Sequence, residues 1–285
     1  MTHPDALPER PGQSAPADLQ GKRHMLAAVI AGGALPEAEG QVDEVIARVR
    51  TIRFGHARPD APTIVHFHGG GFRQGAPEVC ARYASALAHA TGATVLCPAY
   101  RLAPEAPFPA GLNDGMRVLR HLAPSPAPLM LAGDSAGGAI AAALAQLCAR
   151  DGIAVAGLVL HSPWLDLRVT SASYRTNAGS DPLFSEGSAT EAARMYLQGY
   201  PATDPLASPV LGDPALFPPT YISVGLGEVL LDDARAFHRR LIAASVPATL
   251  HEVAGMDHVA VTRGPDLPGS REVLAATLSF LAGLH

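Results

Sequence analysis

The sequence predicts an α/β fold in which a mostly parallel central sheet is flanked by helices and carries a small helical cap. Short apolar runs alternate with helical patterns through most of the chain, which is typical of parallel strands joined by crossover helices. These runs are short and mostly apolar, as expected of strands buried on both faces. Two segments interrupt the alternation, and these predict the cap.

The predicted strands are short, mostly apolar and bounded by Gly or Pro. They are Thr63–Phe67, Thr94–Cys97, Leu129–Ala132, Leu158–Leu160, Thr220–Val224 and Ala248–Val253. Val45–Arg53 is predicted as an additional antiparallel strand at the start of the sheet. The chain has 285 residues, 48% hydrophobic and 16% charged, which predicts a globular protein with a substantial core.

Helical patterns fill the intervals between the strands. They are Glu78–Ala90, Gly111–His121, Ala136–Ala149, Asp232–Ala244 and Arg271–Ala282. Residues 41–165 and 207–285 are therefore predicted to form the main α/β domain.

The predicted cap comes from the two interrupting segments. Residues 1–40 combine a Pro-rich, disordered-looking leader with a helical stretch around Leu19–Ala31. Residues 166–206 are rich in Ser, Thr and Gly and hold one helical pattern, Gly187–Leu197. An insertion of this length between strands is more often a functional lid than a slack loop, so we expect both segments to cover the carboxyl ends of the strands.

Composition excludes several classes of protein. The formal net charge of −5 argues against a basic nucleic-acid-binding surface, and no Lys/Arg cluster suggests attraction to anionic lipid. The longest alanine-rich stretch is too short for membrane insertion, and the N-terminus has no apolar signal core. Three cysteines without CxxC spacing predict reduced structural thiols, Cys80, Cys97 and Cys148. The protein is therefore expected to be cytoplasmic.

One serine lies between glycines in LMLAGDSAGGAIAAALA, at the change from a predicted strand to a predicted helix. Gly133, Ser135 and Gly137 fit G-x-S-x-G, and this strand–turn–helix context is the one that a nucleophile elbow requires. The pentapeptide alone is also compatible with a glycine turn that only packs a helix on the sheet.

A second glycine motif, His68-Gly69-Gly70-Gly71, follows the strand Thr63–Phe67. Consecutive glycines let backbone N–H groups point into a cavity, where they can hold an oxyanion. The residues that follow do not continue a dinucleotide-binding fingerprint, and there is no Walker lysine. His66 and His68 alternate along the strand, but no third ligand stands at a suggestive spacing, so no metal site is predicted.

A base and an acid are predicted after the last two strands. His258 lies in a short polar loop, and the chain order Ser, acid, His is that of a known catalytic triad arrangement. Other candidate bases are His161, His238 and His251, which fall within or at the edge of predicted regular elements.

Glu228 is the first acid after its strand, whereas Asp232 and Asp233 are explained as first-turn acids of the next helix. Glu228 is therefore the predicted acid, with Asp232 as its rival.

Asp134 adjoins the serine, but the side chain of a neighbour in a sharp turn points elsewhere. It is predicted to be a structural carboxylate.

The motifs HFHGGGF, YRLAPEAPFPAGLND, GDSAGG, SPWLDL, GEVLLDDA and GMDH together resemble those of the hormone-sensitive-lipase-like (bacterial family IV) esterases, which have the α/β-hydrolase fold. The likeness extends from about Arg53 to the C-terminus. HGGG and GDSAGG in this order and spacing are highly specific to the family. The chain departs from it at Glu228-Val229-Leu230, where many relatives carry Asp-Pro-Leu.

The resemblance implies a serine carboxylesterase that hydrolyses short- to medium-chain acyl esters through an acyl-enzyme. Ser135 matches the family's nucleophile and His258 its base. The N–H groups of Gly70, Gly71 and Ala136 match its oxyanion hole. The chemistry needs a small-molecule ester and no cofactor or metal. Relatives often pair through the edge strand, so a homodimer is expected.

Pocket residues and the type of reaction are less constrained by the sequence. Phe72, Trp164 and Val259 adjoin the motifs and are predicted to line the acyl or alcohol pocket, with core packing beneath the cap as the alternative. An acyltransferase or lyase could use the same triad. A ligand-binding protein on the same scaffold also stays open, although it would predict a missing histidine.

Overall fold

The computed structural model describes residues 6–33, 35, 40–56 and 61–284. Its strands are β1 (Val42–Ile46), β2 (Val49–Phe54), β3 (Thr63–Phe67), β4 (Thr94–Pro98), β5 (Leu129–Asp134), β6 (Gly157–His161), β7 (Thr220–Gly225) and β8 (Ala248–Val253). They form one sheet in the order β1-β2-β4-β3-β5-β6-β7-β8. Strands β3 to β8 pair in parallel, and β1 and β2 are antiparallel. The predicted mostly parallel sheet is confirmed.

The single strand predicted at Val45–Arg53 is wrong, because a tight turn divides this region into the hairpin β1–β2. Ala47 and Arg48 form the turn with φ of 47° and 69°. Two-residue hairpin turns need this left-handed backbone, which Gly, Asn and Asp adopt most readily. Neither residue is of these types, so the sequence gives no turn signal here.

Helices lie between the strands as predicted, with small shifts at their ends. They are α1 (Ala17–Ala31), α2 (Ala81–Thr91), α3 (Ala110–Leu122), α4 (Ala136–Asp151), α5 (Ser173–Thr176), α6 (Glu186–Leu197), α7 (Leu231–Ala243), α8 (Ala260–Arg263) and α9 (Ser270–Ala282). The predicted helix at Glu78–Ala90 begins as a 3₁₀ turn, Pro77–Cys80, before α2. No helix in the described ranges combines the length and apolar character needed to cross a bilayer.

The core has two halves, one on each face of the sheet. Alternate residues of β3 and β5 face opposite sides: Val65 and Leu131 pack in the half that contains α3, α4 and α7, whereas Ile64 and Met130 pack in the half that contains α2 and α9. Helix α4 is buried from its start to Cys148, and its alanines let it lie close to the sheet. Cys80, Cys97 and Cys148 are buried free thiols, as predicted.

The leader differs from its predicted disorder over residues 6–16, although residues 1–5, 34 and 36–39 of the first segment lie outside the described part. The amide N–H of Leu7 donates to Asn113 Oδ1 at 2.8 Å, and Asn113 Nδ2 donates to the Leu7 carbonyl at 2.9 Å. Arg10 Nη2 donates to the carbonyl of Leu197 at 2.7 Å. This Pro-rich segment has no regular secondary structure and is ordered by partners far along the chain.

Candidate active site

Ser135 lies at the turn between β5 and α4, with φ of 53° and ψ of −121°. This left-handed backbone is costly for a residue with a side chain and marks a sharp, strained turn. The flanking glycines are needed for space. A Cβ on Gly133 would lie 2.3 Å from the Gly137 carbonyl oxygen, and one on Gly137 would lie 2.0 Å from that of Phe67. The G-x-S-x-G spacing is thus a packing requirement of this turn.

The structure brings Ser135, His258 and Glu228 into one hydrogen-bonded chain. His258 Nε2 lies 2.9 Å from Ser135 Oγ, and His258 Nδ1 lies 2.7 Å from Glu228 Oε2. All three residues are buried. Asp232 has another partner, since its carboxylate accepts the N–H of Ser173 at 3.0 Å. The extra methylene of a glutamate therefore does not prevent contact with the imidazole.

Electrostatics at His258 reflect two opposed effects. Burial lowers its pKa, but the hydrogen bond and charge of Glu228, together with the charges of Asp181 and Asp134, outweigh burial and raise the pKa above the ordinary value. Glu228 accepts at Nδ1, so the proton of neutral His258 lies on that nitrogen and Nε2 is free to accept from Ser135. This is the protonation state that a general base requires.

Ser162 is a functional candidate that sequence reasoning missed. Its hydroxyl donates to Glu228 Oε1 at 2.8 Å and accepts the N–H of Val259 at 3.0 Å. Glu228 Oε1 also accepts the N–H of Gly225 at 2.6 Å. One buried hydroxyl therefore joins the acid to the loop that carries His258. In the sequence, the signal that could have identified Ser162 is its position directly after β6 and before Pro163.

The glycines of the HGGG loop line the same cleft as Ser135. In the described ranges, no acceptor is bonded to the N–H groups of Gly70, Gly71 or Ala136. Gly70 has φ of 121°, and a Cβ there would lie 2.0 Å from the Gln74 carbonyl oxygen. Only glycine fits this position. Three unpaired N–H groups beside a serine hydroxyl can hold a developing oxyanion.

Asp134 holds this loop in place. Its Oδ2 accepts the N–H of Gly69 at 3.1 Å, and its Oδ1 lies 3.0 Å from His66 Nε2. The side chain bonds to neither His258 nor Ser135, in keeping with the structural role expected for it.

The other histidines have separate partners. His161 is buried between Tyr83 Oη at 2.6 Å and Ser223 Oγ at 2.7 Å, and burial lowers its pKa to about 3. His251 lies between Tyr221 Oη and Glu272. Neither imidazole bonds to Ser135, although the backbone carbonyl of His161 accepts the Ser135 N–H at 2.9 Å.

His66, Cys80 and Asp134 place potential metal-ligand atoms within 4.8 Å of one another. Oδ1 of Asp134 is already bonded by His66 and contacts Cys80 Sγ at 3.9 Å. Burial raises the pKa of the Cys80 thiol, which favours the protonated form over the thiolate that binds metals. The cluster fits a buried hydrogen-bonded group better than a metal centre.

A cleft of about 390 Å³ opens onto Ser135, within the range of small-molecule sites. The HGGG loop, Ser135, His258 and Val259 line it, together with Phe184 and Leu183 from the predicted cap insertion. Phe184 stacks on the His258 ring, with 5.6 Å between centroids. Sequence reasoning missed Phe184 because no motif surrounds it.

Phe72 and Trp164 do not line this cleft, which corrects the prediction made for them. Both are fully buried, at 1% and 0% exposure. Phe72 stacks on Tyr196 of α6 at 3.9 Å and packs against Trp164 at 5.4 Å. Large aromatic side chains gain most by complete burial, so these two support the cap from below. Val259, by contrast, does line the cleft.

Comparison with known proteins agrees with this architecture. Residues 64–262 match a family model described as the alpha/beta hydrolase fold. An acetyl-hydrolase of Streptomyces hygroscopicus is 38% identical over 229 residues, which cover 79% of this chain and 77% of the relative. Carboxylesterase NlhH of Mycobacterium tuberculosis is 31% identical over 238 residues, which cover 79% of this chain and 74% of the relative. The crystal structure of an esterase from the bacterial hormone-sensitive lipase family superposes with a TM-score of 0.86 at 32% identity, covering 95% of this chain and 93% of that one.

A parallel sheet with a serine at the turn after β5 and a histidine after β8 thus defines an α/β hydrolase, and the chain belongs to the α/β-hydrolase-fold family. Within it, the predicted likeness to bacterial hormone-sensitive-lipase-like esterases is confirmed, and so is the prediction of a carboxylic ester hydrolase.

Proposed function

We propose that this protein is a serine carboxylesterase in which Ser135 is the nucleophile, His258 the general base and Glu228 the acid of the triad. The observation that carries the proposal is the unbroken chain from Glu228 through His258 to the Ser135 hydroxyl, at 2.7 Å and 2.9 Å. It ends at a cleft that a small ester can enter. A nucleophile, its base and an orienting group within hydrogen-bond reach are the requirements for acyl transfer.

In the first half of the reaction, Ser135 Oγ attacks the ester carbonyl carbon while its proton passes to Nε2 of His258. A C–O bond forms, and the carbonyl oxygen becomes an oxyanion. The imidazolium is stabilised by Glu228 through Nδ1–H. His258 then gives its proton to the alkoxy oxygen, the bond between that oxygen and the acyl carbon breaks, and the alcohol leaves an acylated Ser135.

In the second half, water replaces the alcohol. His258 Nε2 accepts a proton from the water as its oxygen attacks the acyl carbon, and it returns the proton to Ser135 Oγ as the carboxylic acid leaves. The N–H groups of Gly70, Gly71 and Ala136 stabilise the oxyanion in both halves. Removal of one such donor typically costs about 10²- to 10³-fold in kcat.

The proposed cap consists of residues 1–40 and 166–206, over a catalytic domain of residues 41–165 and 207–285. Both cap segments reach the cleft: Lys22 and Leu26 line it from α1, and Leu183, Phe184 and Ser188 from the insertion. A cleft of about 390 Å³ with a partly apolar lining suits short- to medium-chain acyl groups. Val259 is the proposed pocket residue next to the base.

A cytoplasmic location and a homodimer complete the proposal. Buried reduced thiols at all three cysteines are consistent with a reducing compartment. Strand β8 is an edge strand whose residues before Val253 are half-buried or exposed, so it can pair with a second copy. Light scattering should then give about twice the chain mass of 29.5 kDa, and a monomer mass would exclude the dimer.

The test is a panel of p-nitrophenyl esters with straight acyl chains of increasing length, assayed with the wild type and Ser135→Ala. We expect turnover that is highest for short to medium chains and is abolished in the variant, while the circular dichroism spectrum is unchanged. Turnover retained by Ser135→Ala would exclude Ser135 as nucleophile. Acylation without release of carboxylic acid would indicate an acyltransferase, and no acylation at all would indicate a binding protein.

A further inference from the structure

The charged side chains that line the cleft are mostly cationic. Lys22, Arg73 and Arg263 line it, and the one carboxylate among the described lining residues is Asp134. Asp134 is buried and its oxygens are occupied by Gly69 and His66. The cleft is therefore positive, although the whole chain has a formal net charge of −5. A cleft of one sign in a chain of the opposite sign concentrates ligands of complementary charge.

Two of these cations have no carboxylate partner in the part of the chain that the structure describes. Arg73 forms an ion pair with Glu191 at 3.0 Å. Within the described ranges, no carboxylate lies within ion-pair distance of Lys22 or Arg263. Arg263 Nη1 makes one long hydrogen bond, 3.4 Å, to the His258 carbonyl oxygen, and both side chains are exposed. Each keeps donors that a substrate can occupy.

The two free cations reach the cleft from unrelated parts of the chain. Lys22 is on α1 of the N-terminal segment, whereas Arg263 ends α8, the short helix that follows the His258 loop. Exposed cations on a surface are ordinary, but convergence of two unpaired ones on the cleft that contains Ser135 is what an anionic substrate group requires.

We propose that the cleft selects esters that carry a negatively charged group, such as the free carboxylate of a dicarboxylic acid half-ester, and that Lys22 and Arg263 bind this group. The inference rests on the proposed esterase function and names its substrate class. The anion binds at the mouth while the ester carbonyl lies at Ser135. Because the charge takes no part in bond making, its effect falls on KM more than on kcat.

The first experiment compares two matched acyl esters, p-nitrophenyl hydrogen glutarate and the neutral p-nitrophenyl hexanoate, after subtraction of spontaneous hydrolysis. A second pair places the charge on the alcohol side: 4-acetoxybenzoate against methyl 4-acetoxybenzoate. Each substrate is assayed with the wild type, Lys22→Glu, Arg263→Glu and the double variant. Arg239→Glu is the matched control, because it makes the same charge change at an exposed site on α7 outside the cleft.

We expect the double variant to lower kcat/KM for the anionic member of at least one pair at least about tenfold more than for its neutral partner, mostly through KM. Arg239→Glu should change none of the four values by more than about twofold. The wild-type preference for the anionic ester should weaken as salt rises from about 0.02 M to about 0.5 M, because these exposed charges are screened.

Equal effects of the charge reversals on anionic and neutral esters in both pairs would overturn the inference. So would a salt-independent preference. Either result leaves the proposed function intact if p-nitrophenyl hexanoate is hydrolysed and Ser135→Ala abolishes that turnover. If no neutral or anionic ester is turned over, the proposed function itself fails.

Discussion

Ser162 Oγ donates a 2.8 Å hydrogen bond to Oε1 of Glu228, on the carboxylate whose other oxygen meets His258. The same hydroxyl accepts the N–H of Val259, the residue after that histidine. Ser162 is fully buried and has φ of 45°. It therefore positions the acid and the base relative to one another without contacting the substrate.

Ser162→Ala should lower kcat while the fold persists. A lost hydrogen bond to a charged group costs about 1.5–3 kcal/mol, which corresponds to about 10- to 150-fold in rate if the bond is needed in the transition state. Measurement of kcat and KM with p-nitrophenyl butyrate tests this. Ser223→Ala is the control, because it removes another buried hydroxyl, which bonds to His161 instead of the triad. Equal losses of kcat in both variants would reduce Ser162 to a packing role.

Glu228→Gln should lower activity and move its pH dependence. The reaction needs neutral His258, so activity rises with pH through the pKa of that group. Burial lowers this pKa, but Glu228, with smaller contributions from Asp181 and Asp134, raises it overall, so the acid limb of wild-type kcat/KM should lie above the ordinary histidine value. Without the carboxylate the limb should shift to lower pH, and the plateau should fall by up to about 10⁴-fold.

Asp232→Asn is the matched control for that profile, since Asp232 bonds to Ser173 and not to His258. It should leave both the limb and the plateau nearly unchanged. A profile in which Asp232→Asn shifts the limb and Glu228→Gln does not would reverse the assignment of the acid.

Asp134→Asn should destabilise the protein and weaken the oxyanion loop. The carboxylate accepts from both Gly69 and His66, and an amide would place a donor against one of them. A buried donor left without an acceptor costs about 1–3 kcal/mol of unfolding free energy, measurable by urea denaturation. Asp114→Asn is the control, because it removes another buried carboxylate. Asp114 accepts from Arg101 and has no bond to the HGGG loop. This variant should lower stability without lowering kcat. If Asp134→Asn behaves in the same way, Asp134 does not hold the loop for catalysis.

Arg23→Gln should loosen α1. This helix buries only Leu19 among its described residues, and Arg23 anchors it by donating to the Arg73 carbonyl at 2.8 Å and the Ala103 carbonyl at 2.5 Å. Faster proteolysis within α1 is expected, together with a several-fold higher KM, because α1 lines the cleft. The exposed neighbour His24, changed to Gln, should do neither. Unchanged proteolysis and KM in Arg23→Gln would show that the helix is held by other contacts.

Much of the site could be predicted from the sequence because its parts lie beside local signals, namely glycine turns and the ends of strands. Ser135 lies between glycines that the elbow needs for space, and Glu228 and His258 each lie in the loop that follows a predicted strand. Elements of this kind are readable from strand, turn and helix patterns alone.

The remaining features depend on contacts between distant residues. Ser162 meets Glu228 across 66 positions and Val259 across 97. The leader is held in place by partners distant in sequence, such as Asn113, which bonds to Leu7 across 106 positions. Phe72 and Trp164 adjoin the motifs in sequence, yet their side chains turn into the core beneath α6. The position of a residue beside a motif does not determine whether its side chain points into the cleft or into the core.

Peptide mass spectrometry after reaction with an organophosphonate is the sharpest test that Ser135 is the nucleophile of an ester hydrolase. One equivalent of label is expected on Ser135, with loss of p-nitrophenyl butyrate hydrolysis in proportion to labelling and no label in Ser135→Ala. Full labelling of Ser135 with esterase activity retained, or inactivation through label at another residue, would contradict it.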